Sequence, residues 1–377
     1  MKKIIATILA IVICLPCAFM LGSCSTNDVV ENLVGEYTQE YAGTTLNVYN
    51  WTEYISDGGE GSLDVIAAFE KLTGINVNYV MYESNEVMYS KLTSNSVAYD
   101  VIIPSDYMIA RLRSENRLKE LDFSKITNYS LIDQKYHNLY FDPENKFTVP
   151  YSVGLVGLIY NTEAVTETPD SWGIMWDEAY KDKILNFNNS RDAFMIAQSL
   201  LGIDLNSENK ADWDAAAQKL IEQKSVYQGY VMDEVFNKME SENAYIAPYY
   251  AGDFLTMYGE NDKLDVVYPK EGTNIFVDSM CIPSTCNNYE AALMFINFML
   301  EPEVAVANAE YICYASPNTA VLESESYAET MAEIHEDWKR VLYDVLDDES
   351  IKKTYYHDLP VDIRAYYEKL WQDVKNS

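Results

Sequence analysis

The chain has 377 residues, enough for two domains at about 150 residues each. At 48% hydrophobic and 23% charged it has the composition of folded globular material rather than of a disordered segment. Its 59 acidic against 27 basic residues give a formal charge of −32, which excludes nucleic acid, whose binding needs clustered Lys and Arg, and disfavours electrostatic docking on anionic lipid; it fits small cationic partners, drawn in by the negative field, although surface acid kept for solubility would leave the same signature.

Lys2-Lys3 is followed by a nearly unbroken apolar run from Ile4 to Leu21 that ends in Leu21-Gly22-Ser23-Cys24. A basic start, an apolar stretch and small residues before a cleavage point make a secretory signal. The run is long enough to span a membrane, but Pro16 and the pair Gly22-Ser23 favour cleavage. The tetrapeptide resembles the bacterial lipobox, whose Cys becomes the lipid-modified first residue. The expectation is therefore a signal peptide over 1–23, lipidation at Cys24 and a polar tether without periodicity over 24–43. The protein is then exported and held by lipid at the outer face of the cell membrane or facing the periplasm. Cys281, Cys286 and Cys313 remain, without CxxC or Cys/His spacing for zinc. Small buried hydrophobes are the simplest reading, with a Cys281–Cys286 disulfide as the alternative.

From residue 44 onward, strands and helices alternate. Leu46–Asn50 reads as a strand, Leu63, Ile66, Phe69 and Leu72 recur at helical spacing, and Gly74 stops that helix. Ile75–Met81 alternates as a strand, Glu86–Leu92 is helical and Tyr99–Ile103 is a buried strand. This βαβαβ order implies a parallel sheet covered by helices. After Pro150 a second series begins: a strand over Val153–Tyr160, helices over Asp192–Leu201 and Trp213–Gln223, strands over Glu242–Ala247 and Leu264–Tyr268, and a helix over Asn288–Leu300. Two α/β units without a Gly/Ser linker predict two lobes joined by crossing strands, and ligands of open α/β sheets sit at the carboxyl ends of strands.

Enzyme signatures are missing. The three His occur in no HExxH, and the chain has no GxSxG elbow and no Gly-rich phosphate loop; neither an enzyme nor a cofactor is expected. What stands out is a set of strand ends carrying aromatic and polar residues together. Trp51-Thr52-Glu53-Tyr54 follows the first strand and Pro104-Ser105-Asp106-Tyr107 the third. Tyr249-Tyr250-Ala251-Gly252-Asp253 and Phe276-Val277-Asp278-Ser279 follow later strands, and Tyr314 lies in Cys313-Tyr314-Ala315-Ser316-Pro317-Asn318. Aromatic faces suit methylenes and cations, at about 0.5–2 kcal/mol per ring over a cation. Carboxylates add charge-assisted hydrogen bonds of about 1.5–3 kcal/mol each. Together these residue types ask for an elongated polycation. Asp100 and Asp106 are expected at the surface or in turns.

Asn50-Trp51-Thr52-Glu53-Tyr54, Tyr82-Glu83-Ser84-Asn85-Glu86, Tyr99-Asp100-Val101, Pro104-Ser105, Val266-Val267-Tyr268-Pro269-Lys270-Glu271-Gly272 and Phe276-Val277-Asp278-Ser279 resemble the spermidine/putrescine-binding proteins of ABC importers. The resemblance runs from about Thr44 to the C-terminus and is weakest after Pro317. It implies a periplasmic-binding-protein-like α/β fold of two lobes, each a sheet flanked by helices, that close on a polyamine and deliver it to a membrane permease. On that pattern the N-terminal lobe comprises 44–155 and 278–318, and the C-terminal lobe 156–277 and 319–377; a monomer is expected. By the same resemblance Trp51, Tyr54 and Tyr314 match channel aromatics, Ser105 and Tyr107 a second wall, and Asp278 the carboxylate that pairs with an amine. Tyr250 and Phe276 stand where Trp is usual. Asp192 falls where the spermidine type has Glu, and Asn189 where it has Asp. Ala251-Gly252-Asp253 resembles the putrescine-selective branch, and the Gln that the spermidine type uses near its C-terminus has no evident counterpart.

Two other ligands fit the same fold. The adjacent Tyr249-Tyr250 suits ferric ion, which paired phenolates bind, although one neighbour of such a pair in a strand is expected to point away from the cleft. A sugar could stack on the aromatics, but a sugar site prefers neutral amides to an excess of carboxylates.

Overall fold

The structure, a computed structural model, describes residues 26–33, 35–94 and 97–377; the expected signal peptide and Cys24 lie outside them. The first described element is a helix, α1 (Thr26–Leu33), not a tether. Val29 and Val30 are buried against the body of the protein, and Leu33 packs beside them.

Next comes β1 (Thr45–Trp51), whose inward residues Leu46 and Val48 are fully buried. The helix α2 (Val65–Thr73) buries Val65, Ala68, Phe69 and Leu72 at helical spacing. Asp64 caps it by accepting from the Ala67 N–H at 2.8 Å, and Gly74 ends it in the left-handed region at φ 71°. After β2 (Asn76–Tyr82) and α3 (Asn85–Thr93), the third strand β3 is only Val101–Ile102, shorter than expected, because α4 (Asp106–Ser114) begins just beyond it. β1 pairs in parallel with both β2 and β3, as the βαβαβ order requires.

The strand expected from Val153 starts earlier and runs straight through Pro150: β4 (Thr148–Asn161) is fourteen residues long and buried throughout. The rest of this half comprises β5 (Ile184–Phe187), α5 (Ser190–Leu201), α6 (Lys210–Gln223), β6 (Tyr227–Val231), α7 (Glu234–Glu240), β7 (Ile246–Tyr250), α8 (Ala251–Glu260) and β8 (Leu264–Val267). The strand expected at Glu242–Ala247 is thus β7, shifted toward the paired tyrosines. β9 (Thr273–Cys281), also buried throughout, carries Phe276, Val277, Asp278 and Ser279 inside the strand rather than after it. The helices α9 (Tyr289–Met299), α10 (Pro302–Ile312), α11 (Thr319–Glu323), α12 (Glu325–Ile334) and α13 (Val345–Asp347), the short strand β10 (Lys353–Thr354) and α14 (Val361–Asn376) complete the chain.

The strands form the order β2-β1-β3-β9-β4-β7-β5-β6, with β10 on β9 and β8 on β4. β4 and β9 cross the middle. β4 pairs antiparallel with β9 over Thr148–Leu155, and its far end, from Val156, pairs with β7 and β8. The two α/β halves are therefore joined by strands that belong to both. At the crossing, Gly154 stands opposite Phe276, and a Cβ on Gly154 would lie 2.5 Å from the tip of the Phe276 ring. The glycine leaves room for an aromatic ring to lie across the strand.

Two further expectations change. Cys281, Cys286 and Cys313 are all buried free thiols, so the Cys281–Cys286 disulfide is not formed. Asp100 is 1% exposed. Its carboxylate accepts the Asn47, Asn287 and Asn288 backbone N–H groups at 2.9–3.0 Å and so ties β1 to the start of α9. It is buried because those three otherwise unpaired donors need an acceptor.

Gly154→Ala should lower the unfolding free energy by about 1–3 kcal/mol, because the ring must leave its place. Urea melts of the ligand-free protein measure this, and an unchanged midpoint would show that Phe276 is not packed on Gly154.

Candidate ligand-binding cleft

A cavity of about 1080 Å³ opens at the carboxyl ends of the strands, between the two halves. Each wall is built by a strand end. Trp51 closes β1 and Tyr82 closes β2, and both donate to one acceptor, the Ile103 carbonyl, at 2.9 and 2.7 Å. That carbonyl holds the two rings 4.7 Å apart. The turn after β1 places Glu53 in the left-handed region at φ 52° and sends its exposed side chain to the cavity rim. Tyr54 follows, its carbonyl accepting from Asn50 Nδ2 at 3.2 Å and Tyr151 Oη at 2.7 Å. Tyr54 Oη donates to Asp278 Oδ2 at 2.9 Å.

Asp278 is 4% exposed, and its other oxygen, Oδ1, has no hydrogen-bond partner among the described residues. Burial pushes this carboxyl up to about 6, against the Ser105 and Tyr54 hydroxyls, which favour the charged form. Ser105 is itself fixed by Asn85, which donates to its Oγ at 3.1 Å. Across the cavity, Asp253 lies in the first turn of α8 and accepts from Tyr314 Oη at 2.9 Å. Burial pushes it up to about 7. Tyr314 packs edge-on to Tyr54 at 5.4 Å and lies against Gly252, where a Cβ would come 2.3 Å from the ring. Gly252 is thus the glycine that the aromatic wall requires.

Asp192 lies at the start of α5 and is 4% exposed. It accepts from Asn189 Nδ2 at 2.9 Å, Tyr250 Oη at 2.8 Å and Tyr356 Oη at 2.9 Å. Burial raises it to about 6 despite these donors. Tyr250 meets Phe276 edge-on at 5.7 Å, and Tyr107 meets Tyr356 at 6.0 Å while donating to Glu86 at 2.9 Å.

All twelve residues expected at the site, Trp51, Thr52, Glu53, Tyr54, Ser105, Tyr107, Asp192, Tyr250, Asp253, Phe276, Asp278 and Tyr314, border this one cavity. Eleven of the described residues around it are Asp or Glu, against a single Arg, Arg191. With aromatic rings between the carboxylates, the arrangement suits a cation that is also apolar along its length.

Asp106 is not at the surface. It is 1% exposed, borders the cavity and accepts from the Tyr107 N–H at 2.6 Å and the Val277 N–H at 3.4 Å. Burial holds its carboxyl well above the usual carboxylate range. Tyr249 also borders the cavity rather than pointing away. The two adjacent phenols nevertheless donate to different carboxylates, Tyr249 to Asp233 at 3.5 Å and Tyr250 to Asp192, which argues against one ferric site shared by both. Sequence reasoning missed Tyr82, Asn85, Arg191, Asp233 and Tyr356. Tyr82 and Asn85 lie in a segment already singled out by resemblance, so a signal existed. Tyr356 reaches Asp192 across 164 residues and had none.

The sequence profile of the family described as bacterial extracellular solute-binding protein matches residues 97–338. The spermidine/putrescine-binding periplasmic protein of Salmonella typhimurium is 34% identical over 333 residues, 88% of this chain and 91% of its own. The putrescine-binding periplasmic protein of Escherichia coli is 28% identical over 73% of this chain and 78% of its own. The spermidine/putrescine ABC transporter substrate-binding protein of Streptococcus pneumoniae superposes with a TM-score of 0.69 at 32% identity, covering 89% of this chain and 99% of that one.

The buried carboxylates make a prediction for the ligand-free protein. Asp278 moves from about 3.8 to about 6 on folding, so it favours the folded state below about pH 4 and loses that contribution as pH rises through 6. Asp278→Asn removes the loss. Its melting temperature relative to the parent should climb between pH 4 and pH 7, by the equivalent of about 2–3 kcal/mol at most. A difference that stays flat with pH would mean that the carboxylate is not penalised by burial.

Proposed function

Since the chain belongs to the bacterial extracellular solute-binding proteins, and within them to the spermidine/putrescine-binding branch, we propose that it is the lipid-anchored component of an ABC importer that captures a polyamine, putrescine or spermidine or both, and hands it to the membrane permease. One observation carries this reading: a buried carboxylate, Asp278, with one oxygen unpartnered, in a cleft walled by Trp51, Tyr54, Tyr250, Phe276 and Tyr314. An ammonium group is the partner that such an oxygen lacks. Charge-assisted hydrogen bonds of about 1.5–3 kcal/mol at each end and about 0.8 kcal/mol for each buried methylene suffice for tight capture of a diamine. A sugar could donate hydroxyls to the carboxylates but would leave their buried charge uncompensated, which disfavours that alternative; the separate partners of Tyr249 and Tyr250 disfavour a ferric site.

The mechanism follows from which half each group belongs to. The lobes divide at 44–155 with 278–318 and 156–277 with 319–377. Tyr54, Asp278 and Tyr314 then come from one lobe, and Tyr250, Asp253 and Phe276 from the other. Ligand enters the open cleft and one ammonium completes Asp278; closure brings Asp253 up to Tyr314 of the other lobe, and the second ammonium takes the place of the Tyr314 hydroxyl on Asp253. Groups of both lobes touch the ligand only when the cleft is closed, so binding favours the closed form by that difference in affinity. The lobes turn about the crossing strands at Gly154 and Phe276. The anchor is Cys24 after removal of 1–23.

Calorimetric titration of residues 25–377 with putrescine, spermidine, cadaverine, a sugar panel and ferric citrate tests the ligand class. Heat from the amines alone is the expected outcome, and heat from a sugar or ferric citrate alone would overturn it. Asp278→Asn should weaken amine binding at least 30-fold, about 2 kcal/mol, without unfolding the protein. Binding should also weaken as pH falls below 7, since Asp253 and Asp278 must be ionised to meet an ammonium.

Asp253→Ala bears on selectivity. It should cost putrescine more affinity than spermidine, because the shorter amine depends on both end carboxylates. Equal losses in parallel titrations would refute that role.

A further inference from the structure

The segment that links the anchor to the body is stitched to the rim of the cleft. Thr26 Oγ1 accepts from the Asp64 N–H at 3.3 Å, Lys71 Nζ donates to Asn27 Oδ1 at 2.6 Å, and Asn32 Nδ2 donates to Glu303 Oε1 at 2.9 Å. Val29 and Val30 are buried between these contacts. The chain beyond α1 continues the attachment. Tyr37 Oη donates to Glu301 at 2.5 Å and accepts from Asn297 Nδ2 at 3.2 Å, and its ring meets Phe298 edge-on at 5.8 Å. The helix α1 is therefore clamped to α2 and α10, and the chain just beyond it to α9. Two of its attachment points adjoin the cavity: Leu63, beside Asp64, and Glu303 itself both line it.

We infer that the clamp on α1 orients the anchored protein, holding the cleft rim formed by the residues around Leu63 and Glu303 toward the lipid surface. This rests on the proposed lipidation of Cys24. Two peptide links separate Cys24 from Thr26, and they reach at most about 7 Å. A lipid chain there leaves no slack between bilayer and lobe. A floppy tether of twenty polar residues would let the body turn freely, whereas a docked helix fixes which face looks down. The face so fixed carries part of the cavity rim, so a permease in the same bilayer would meet that rim without a search over orientations. The constraint also opposes the repulsion between a strongly acidic body and anionic lipid, which would otherwise hold the body away.

The test uses the full chain, matured in a bacterial host and reconstituted in phosphatidylcholine/phosphatidylglycerol vesicles carrying a headgroup acceptor dye. Mass spectrometry first reads whether Cys24 carries lipid. A donor dye is then placed at Asp57→Cys, beside the α1 contact at Asp64, or at Val361→Cys, which is exposed on α14; the native thiols among the described residues are buried. Energy transfer at the Asp57 position at least threefold above that at Val361, with the difference abolished by the undocking variant Val30→Asp, is the expected result. Equal transfer at both positions with lipid present would overturn the orientation while leaving the anchor intact. An unlipidated Cys24 would overturn both. As a readout independent of lipid, the amides of Val29 to Leu33 in residues 25–377 should be protected from hydrogen exchange and lose protection in Val30→Asp; rapid exchange in the parent would overturn the clamp itself.

Discussion

A carboxylate buried in a crossing strand with half of its hydrogen-bonding capacity unmet is the constraint around which this molecule is arranged. Asp278 lies in β9, opposite Ser152 of β4, where both strands are fully buried. Bulk water has little access to its charge there, and among the described residues Tyr54 donates to Oδ2 while no hydrogen bond reaches Oδ1. An orphaned polar atom of this kind costs about 1–3 kcal/mol, more when it is charged. Folding tolerates that cost because the two crossing strands pair with each other over Thr148–Leu155 and are buried throughout. A cationic ligand would offset it. Burial raises Asp192 and Asp253 as well, although both have hydrogen-bond donors, so each is penalised when it is ionised in the empty cleft.

The aromatic walls are held by backbone that most sequences avoid. Tyr54 and Tyr314, the rings that meet edge-on, each follow a non-glycine residue in the left-handed region, Glu53 at φ 52° and Cys313 at φ 57°. Such residues cost about 1–2 kcal/mol each and persist where surrounding contacts over-determine them. Here the Asn50 and Tyr151 bonds to the Tyr54 carbonyl do so on one side, and the end of α10 does so on the other. Gly154 and Gly252 solve the opposite problem, since each gives up its side chain so that an aromatic ring can occupy the space. Strain and vacancy together aim the rings at one another across the cleft.

What the sequence made legible depended on local periodicity and on compact motifs. β1, α2, β2 and α3 follow the alternation and helical spacing of their own residues, and the strand-end clusters at Trp51, Ser105 and Tyr250 carry their chemistry within a few positions. Asp106 was misread because Pro-Ser-Asp looks like turn chemistry. Its burial comes from β9, whose Val277 N–H it accepts, 171 positions away. Tyr356 reaches the cleft through the C-terminal segment beside β9 and stacks there against the Arg191 guanidinium of α5, a long-range pairing that no window of sequence contains. Phe276 and Asp278 were identified as site residues but assigned to a strand end, because an unbroken apolar strand and the approach to one read alike. The helix α1 did leave a mark: Val29, Val30 and Leu33 stand at i, i+1 and i+4. Eight residues are too few for that pattern to outweigh the polar background.

The acidic excess and the cleft are not the same charge. Most of the carboxylates are on the surface, where screening over about 8–10 Å at physiological salt limits them to steering. A surface field of that kind raises the rate at which a small cation arrives, but it distinguishes poorly among cations. Discrimination needs charges largely shielded from bulk water, and the structure keeps three such carboxylates, the buried Asp192 and Asp278 and the half-buried Asp253, apart from one another behind separate tyrosine hydroxyls, Tyr250, Tyr54 and Tyr314. Each phenol keeps its carboxylate fixed while the cleft is empty and can yield to an ammonium without leaving a second group unpaired in water. Fixed, spaced and replaceable partners of this sort favour a ligand with two or more ammonium groups on a flexible spine over a lone metal ion, which needs its oxygens gathered at one point. The geometry of the phenols, more than the total of negative charge, therefore sets the ligand class.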